Sequence, residues 1–356
     1  MWSQSENKEF TRFPSTDSTK SSELYLTFQN LNFFKNDEYF GELTSGITYI
    51  GTLLQPRLSY QPYKNIKIDV GIHMLKFSGL DGVTDALPVF SFQYQPYKGF
   101  DVIMGTINGG LNHQIIEPMY SFENHLMNFV ENGAQLLIQK KRFYADVWLN
   151  WEKFIFKTSQ SQESIVGGIH STYWLSKAKD KEGFNIDGQL IIAHKGGQFH
   201  TEKDVLQTLV NTAIGLAWVK KIKSDNQWGF SSHFLNFYDS SPIPQYPYIL
   251  GYSTWTQLYW HRKHFSTSFG YWNGDYFISS FGNPLFQSIS QKDKDYLQPH
   301  TELITAKFIL KAKIYQNVTI EARLEPYFDL QQNIFEYSYG FHILFDTEFF
   351  LKHLKK

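Results

Sequence analysis

His113, Glu117, Glu123 and His125 fall within one polar-to-apolar stretch, and two imidazoles with two carboxylates at that spacing are a donor set able to hold a divalent cation. Solvated loop residues of these types are several times commoner than ligands, so no metal and no cofactor is expected from them. Nucleophilic catalysis would need a hydroxyl, a histidine and an acid held together. His73, His170, His194, His261 and His342 have no serine or acid tied to them by a local motif, so the chain is expected not to be an enzyme. The densest charged set lies near the end, where Lys307, Lys311 and Lys313 would face Glu321, Arg323, Glu325 and Glu336. Cross-strand pairs of opposite sign form ladders, which either line a passage or pack a closed one. Trp148, Trp255 and Tyr259 are aromatic faces on which a sugar ring could stack.

These residues need strands to hold them. In 335–349, Phe335, Tyr337, Tyr339, Phe341, Ile343, Phe345 and Phe349 alternate with Glu336, Ser338, Gly340, His342, Asp346 and Glu348, which puts an oily and a polar row on opposite faces of one strand. Ile66, Ile68, Val70, Ile72 and Met74 alternate in the same way with Lys67, Asp69, Gly71 and His73. Most other strands repeat the pattern, and nothing in the chain supplies a layer to cover the apolar faces. An apolar outside with a charged inside then implies a barrel closed in a bilayer. The predicted fold is an all-β transmembrane antiparallel up-and-down barrel of about 16 strands, with 14 as the alternative.

Composition agrees. Aromatics are 18% of 356 residues, with 32 Phe and 22 Tyr, and they concentrate near strand ends, where interfacial girdles sit. Mean hydropathy is -0.36, and no apolar run approaches the roughly 18 residues of a membrane helix. The formal net charge of -1 offers no basic field for nucleic acid. The absence of cysteine excludes disulfides and thiolate metal sites.

The domain reading is a flexible N-terminal arm over 1–22, a single barrel over 23–350 and a basic tail over 351–356. No signal peptide follows Met1, and one is assumed to have been removed from an outer-membrane protein. Short turns are basic, with Lys64, Lys98, Lys140, Lys141, Arg142, Lys220, Lys221, Arg262, Lys263, Lys352, Lys355 and Lys356; longer connections lean acidic, Asp204 among them. Basic residues at one rim suit anionic phospholipid headgroups. The connection 109–132 carries Ile115, Met119, Phe122, Leu126 and Phe129 with Glu117 and Glu123. That is too much apolar surface to leave in water, so it is expected to be partly helical and to constrict the lumen or cap its mouth. The connection from 275 to about 297, richer in Ser, Gly, Gln and Lys, is expected to be more mobile.

The strings Asn32-Phe33-Phe34-Lys35-Asn36-Asp37-Glu38-Tyr39-Phe40, Leu111-Asn112-His113, Glu117-Pro118-Met119-Tyr120, Glu131-Asn132-Gly133 and His194-Lys195-Gly196-Gly197-Gln198 resemble porin-like outer-membrane barrels of Bacteroidetes bacteria. The resemblance implies location and fold, in a group of unassigned function, and transfers no catalytic residue. The functional expectation is a porin-like barrel in outer-membrane lipid that passes small polar solutes. Its lumen would be lined by Arg57, Lys67, Asp69, His73, Asp146, Trp148, Glu152, Lys307, Lys311, Glu321, Arg323, Glu325, Glu336 and His342. The alternative is a non-conducting subunit or scaffold with envelope protein partners, and a distant third is a barrel-wall hydrolase.

Overall fold

A computed structural model describes residues 7, 10, 16–157, 159, 161–176, 182–197, 205–223 and 225–354. Most of the 1–22 arm, Asp204, Gln198, Lys355 and Lys356 lie outside the described residues. In chain order the strands are β1 (Glu23–Glu38), β2 (Thr48–Tyr63), β3 (Ile66–Phe77), β4 (Asp85–Tyr97), β5 (Phe100–Thr106), β6 (Asn132–Gln139), β7 (Phe143–Lys153) and β8 (Ser164–Trp174). They continue as β9 (Gly183–Lys195), β10 (Gln207–Lys223), β11 (Asn226–Asp239), β12 (Leu250–Arg262), β13 (Phe265–Asp275), β14 (His300–Tyr315), β15 (Val318–Asp329) and β16 (Ile334–His353). Each pairs antiparallel with its neighbours in sequence, and β1 pairs β16 to close the barrel. Closure leaves no unpaired sheet edge, the condition for crossing lipid with strands.

The alternation predicts the faces correctly. Val70, Leu324 and Phe341 are exposed on the outer wall, whereas Asp69, Glu321, Arg323 and His342 are buried inside. Adjacent positions on one strand therefore answer differently to charge. Phe90→Arg, on the outer face of β4, should cost roughly 2 to 4 kcal/mol in lipid vesicles. Ser91→Arg, which points into a polar cavity beside it, should cost far less. Equal losses in urea titrations of the two variants would reject the face assignment.

Turns at one end are short, such as 64–65, 98–99 and 263–264, while the connections at the other run to 107–131 and 276–299. Short turns are periplasmic and long loops are external in barrels of this kind, so β1 starts and β16 ends on the periplasmic side. Gly99 takes a φ of +73° in the two-residue turn after Lys98, a left-handed conformation open to glycine. β1 runs on to Glu38 against Tyr337. One boundary needs correction: no tail begins at 351, since Lys352 and His353 pair with Leu24 and Glu23.

The external half of the lumen is filled. The third outer loop, 107–131, folds inward through a 3₁₀ turn over Gly110–His113 and helix α1 (Phe122–Met127), whose N-cap Ser121 accepts from the Asn124 amide. The seventh outer loop, 276–299, is expected from sequence to be mobile, but it folds in beside the third. Phe277, Ile278, Leu285 and Phe286 pack with Ile115, Ile116 and Met119 against Trp148, Leu235, Phe237, Trp255 and Trp272 of the wall. Phe277, Ile278, Leu285 and Phe286, fully buried in a Ser- and Gln-rich stretch, each contribute roughly 1.5 to 3 kcal/mol. The loops are stitched by backbone bonds from Ser121 to Phe281 and from Asn283 to Glu117. Asn7 and Phe10 of the N-terminal arm are also buried inside the barrel: the Arg323 guanidinium donates to Asn7 Oδ1 at 2.9 Å, and Phe10 packs edge-on to Phe122 at 5.0 Å.

Candidate functional site

The residues predicted to line the lumen sit at inward positions of their strands; His73, Asp146, Trp148, Lys307, Arg323 and His342 meet the infolded loops or the N-terminal arm, and others pair within the wall. Lys307 meets Glu117 of the third loop at 2.7 Å and Glu325 at 3.8 Å. Tyr327 and Asn283 also donate to Glu117, at 2.7 and 2.8 Å. Arg323 holds Glu321 at 2.7 Å and Glu325 at 3.3 Å, and Lys311 lies 3.5 Å from Glu321. His342 is enclosed by Phe10 and Phe122. Glu336 accepts the Phe40 and Gly41 amides, Glu152 accepts the Ser164 hydroxyl, and His73 stacks on Phe129 at 5.3 Å. The remaining inward residues, Arg57, Lys67 and Asp69, line a cavity of about 630 Å³ toward the periplasm, roofed by Gly109, Asn112 and Phe129.

The two histidines and two glutamates of the third loop do not converge. Glu117 goes to Lys307, Glu123 to Lys35 at 2.5 Å, and His113 to Glu131 at 3.0 Å and Asp146 at 2.8 Å. Burial opposes the charge on His113, but Glu131 and Asp146 outweigh it and raise its pKa to about 9. His125 has no such carboxylate pair, and burial lowers its pKa to about 3. Sugar stacking on the lumen tryptophans is corrected too: the His113 ring covers Trp148 at 3.7 Å, and Phe286 packs edge-on against Trp255.

A second polar set stands on the outer wall, near the external rim. Asn30, Asn32, Asn36 and Glu38 share the outward phase of β1, because they oppose Phe345, Ile343, Tyr339 and Tyr337 of β16. On the other side Asn36 opposes Thr48 and Asn32 opposes Thr52, while Thr52 opposes Lys76. Asn32, Thr52 and Lys76 thus lie in one row across three strands. Asn36 donates to Glu38 at 2.6 Å and to the Tyr339 hydroxyl at 3.2 Å, and Thr48 donates to Asn36. Below them Asn32 donates to Asn30 at 2.6 Å, and Asn30 to Thr52 at 3.0 Å.

Near the same rim β13 and β14 carry another outward polar group, in which His300 meets Asp275 at 2.8 Å and Tyr271 donates to Glu302, beside exposed Tyr252 and Phe335. A carboxylate, an ammonium, hydroxyls and amides together on a lipid-facing surface are costly unless they are used. From inside, Lys35 bonds both Asp37 and Glu123, which fixes the β1 positions that alternate with Asn36 and Glu38. The sequence reading missed this strip. The signal was available: extending the outward phase of Leu24, Leu26 and Phe28 reaches Asn30, Asn32 and Asn36.

The fold is that of outer-membrane barrels. OprD of Pseudomonas aeruginosa is similar at a TM-score of 0.57 and 8% identity, over 96% of this chain and 99% of that one. OmpT of Vibrio cholerae, an outer membrane protein, is similar at 0.54 and 6% identity, over 91% and 99%. OccAB4 of Acinetobacter baumannii gives 0.54 and 10%, over 94% and 100%. No curated protein matches the sequence. The expectation of a non-enzymatic barrel is overturned by a family model described as lipid A 3'-O-deacylase-type, which matches residues 16–354. By that match, covering nearly the whole chain, the protein belongs to the lipid A 3'-O-deacylase-type family, an enzyme family by its description.

Proposed function

We propose that the protein hydrolyses an ester-linked acyl chain of a lipid A-type glycolipid at the outward strip of β1, β2 and β3. The observation that carries this reading is the polar row on the lipid-facing wall near the external rim. An acyl ester of a membrane glycolipid lies where its sugars meet the hydrocarbon, and only the outer wall meets it at that depth. In this reading Glu38, oriented by Asn36, takes a proton from water as the water attacks the ester carbonyl. The acyl–oxygen bond breaks, the Glu38 carboxyl returns the proton to the departing sugar oxygen, and the products are a free fatty acid and the sugar hydroxyl. Lys76 binds an anionic headgroup, and Asn32 and Thr52 hold sugar or ester oxygens.

The test is fatty-acid release, measured by mass spectrometry, from lipid A vesicles containing the folded protein. Glu38→Gln should lower the rate by roughly 10² to 10⁴, the usual worth of a general base, with heat-modifiable migration unchanged. Absence of release by the wild-type protein, or full release by Glu38→Gln, would reject the assignment.

A second reading, passage of small polar solutes, is supported by the likeness to OprD and by the 630 Å³ periplasmic cavity. It requires the third loop to leave the lumen.

A further inference from the structure

The periplasmic rim carries a compact cationic cluster remote from the outward strip. β5 and β6 are neighbours, with Phe100 opposite Ile138, so the turns 98–99 and 140–142 lie side by side. Lys98, Lys140, Lys141 and Arg142 are all exposed there. The Lys140 ammonium donates to the Lys98 carbonyl at 2.9 Å and sits 4.7 Å over the Tyr97 ring, which ties the two turns together. Among the described residues, no ion pair engages Lys98, Lys141 or Arg142, whereas Lys20 and His353 elsewhere on this rim meet Glu348 and Glu23.

Immediately membrane-ward, the outer wall presents Tyr97 and Phe100, 4.9 Å apart, then Phe143 directly opposite Tyr173. Cations above an interfacial aromatic patch match a lipid whose phosphate is anionic and whose chains run along the wall. A soluble anion would gain nothing from the aromatic rings.

We propose that the 98–99 and 140–142 turns form a discrete headgroup site for an anionic phospholipid of the periplasmic leaflet. The clustered cations take the phosphodiester, and Tyr97, Phe100 and Phe143 pack on the glycerol and upper acyl chains.

Native mass spectrometry of the full chain, released from micelles with dioleoyl-phosphatidylglycerol or dioleoyl-phosphatidylethanolamine, tests this. Wild-type protein should retain phosphatidylglycerol roughly tenfold better, as expected for several cations at a charged surface. Replacing Lys98, Lys140, Lys141 and Arg142 together by Gln should abolish the preference. Replacing Lys220, Lys221, Arg262 and Lys263 by Gln, an equal loss of charge on the same rim, should preserve it. Excess glycerol phosphate should not displace the bound lipid. Equal loss in both quadruple variants, no preference in the wild type, or displacement by glycerol phosphate would each overturn the proposal.

Discussion

Lys35→Met should destabilise the barrel by about 3 to 5 kcal/mol, the cost of removing one partner from a buried ionic group. Lys35 is fully buried, and its ammonium is shared between Asp37 on its own strand and Glu123 on α1. Without it two carboxylates remain inside the barrel with no cation between them. Urea unfolding in vesicles reads the loss, and hydrogen exchange should show α1 opening first. Adding Asp37→Leu and Glu123→Leu should restore most of the stability, because an apolar replacement of the whole group is often neutral. The substitution should also slow acyl release, since Lys35 and Asp37 anchor the stretch of β1 that presents Asn36 and Glu38 outward. A Lys35→Met protein within 1 kcal/mol of wild type would show that the ionic group is not what holds the loop.

Deleting residues 115–129 should turn an electrically quiet barrel into a conducting one. That segment roofs the periplasmic cavity through Phe129 and packs Ile115, Ile116 and Met119 into the lumen core. The seventh loop leans on the opposite wall, against Trp255, Trp272 and Leu303, and cannot alone cover the side next to β1–β5. In planar bilayers, stepwise current roughly tenfold above wild type is expected, since a sixteen-stranded barrel without its plug is wide enough for water. A deletion variant that folds and stays silent would show that the remaining loop and the N-terminal arm close the lumen without the third loop. The ester-hydrolysis reading is separable from this result, because the outward strip does not face the lumen.

Alternation along each strand, with no helix or sheet to cover its oily face, was enough to specify a closed barrel. The strands of 66–77 and 334–353 show why: a period of two leaves each side chain only one possible face. The ordered third loop was legible too, because Ile115, Met119, Phe122 and Leu126 carry too much apolar area for water. The partners of its charges were not. That Glu117 meets Lys307 and Glu123 meets Lys35 depends on residues far apart in sequence being brought together by closure. Composition likewise misjudged the seventh loop, whose Phe277, Ile278, Leu285 and Phe286 pack between the third loop and the wall.

The outward strip shows the same division of labour. Asn30, Asn32, Asn36 and Glu38 stand in the sequence at alternate positions, so their common face follows from strand geometry alone. That Thr52 and Lys76 extend Asn32 into a row depends on the register of β1, β2 and β3, which hairpin closure sets and the single-strand pattern does not. Even the space beside a residue belongs to the folded state. Gly71 faces the lumen by alternation, yet a Cβ there would stand 2.2 Å from the Pro56 carbonyl oxygen and 2.7 Å from Arg57 Cγ. Alternation assigned each side chain its face, while register and the infolded loops decided which of them meet.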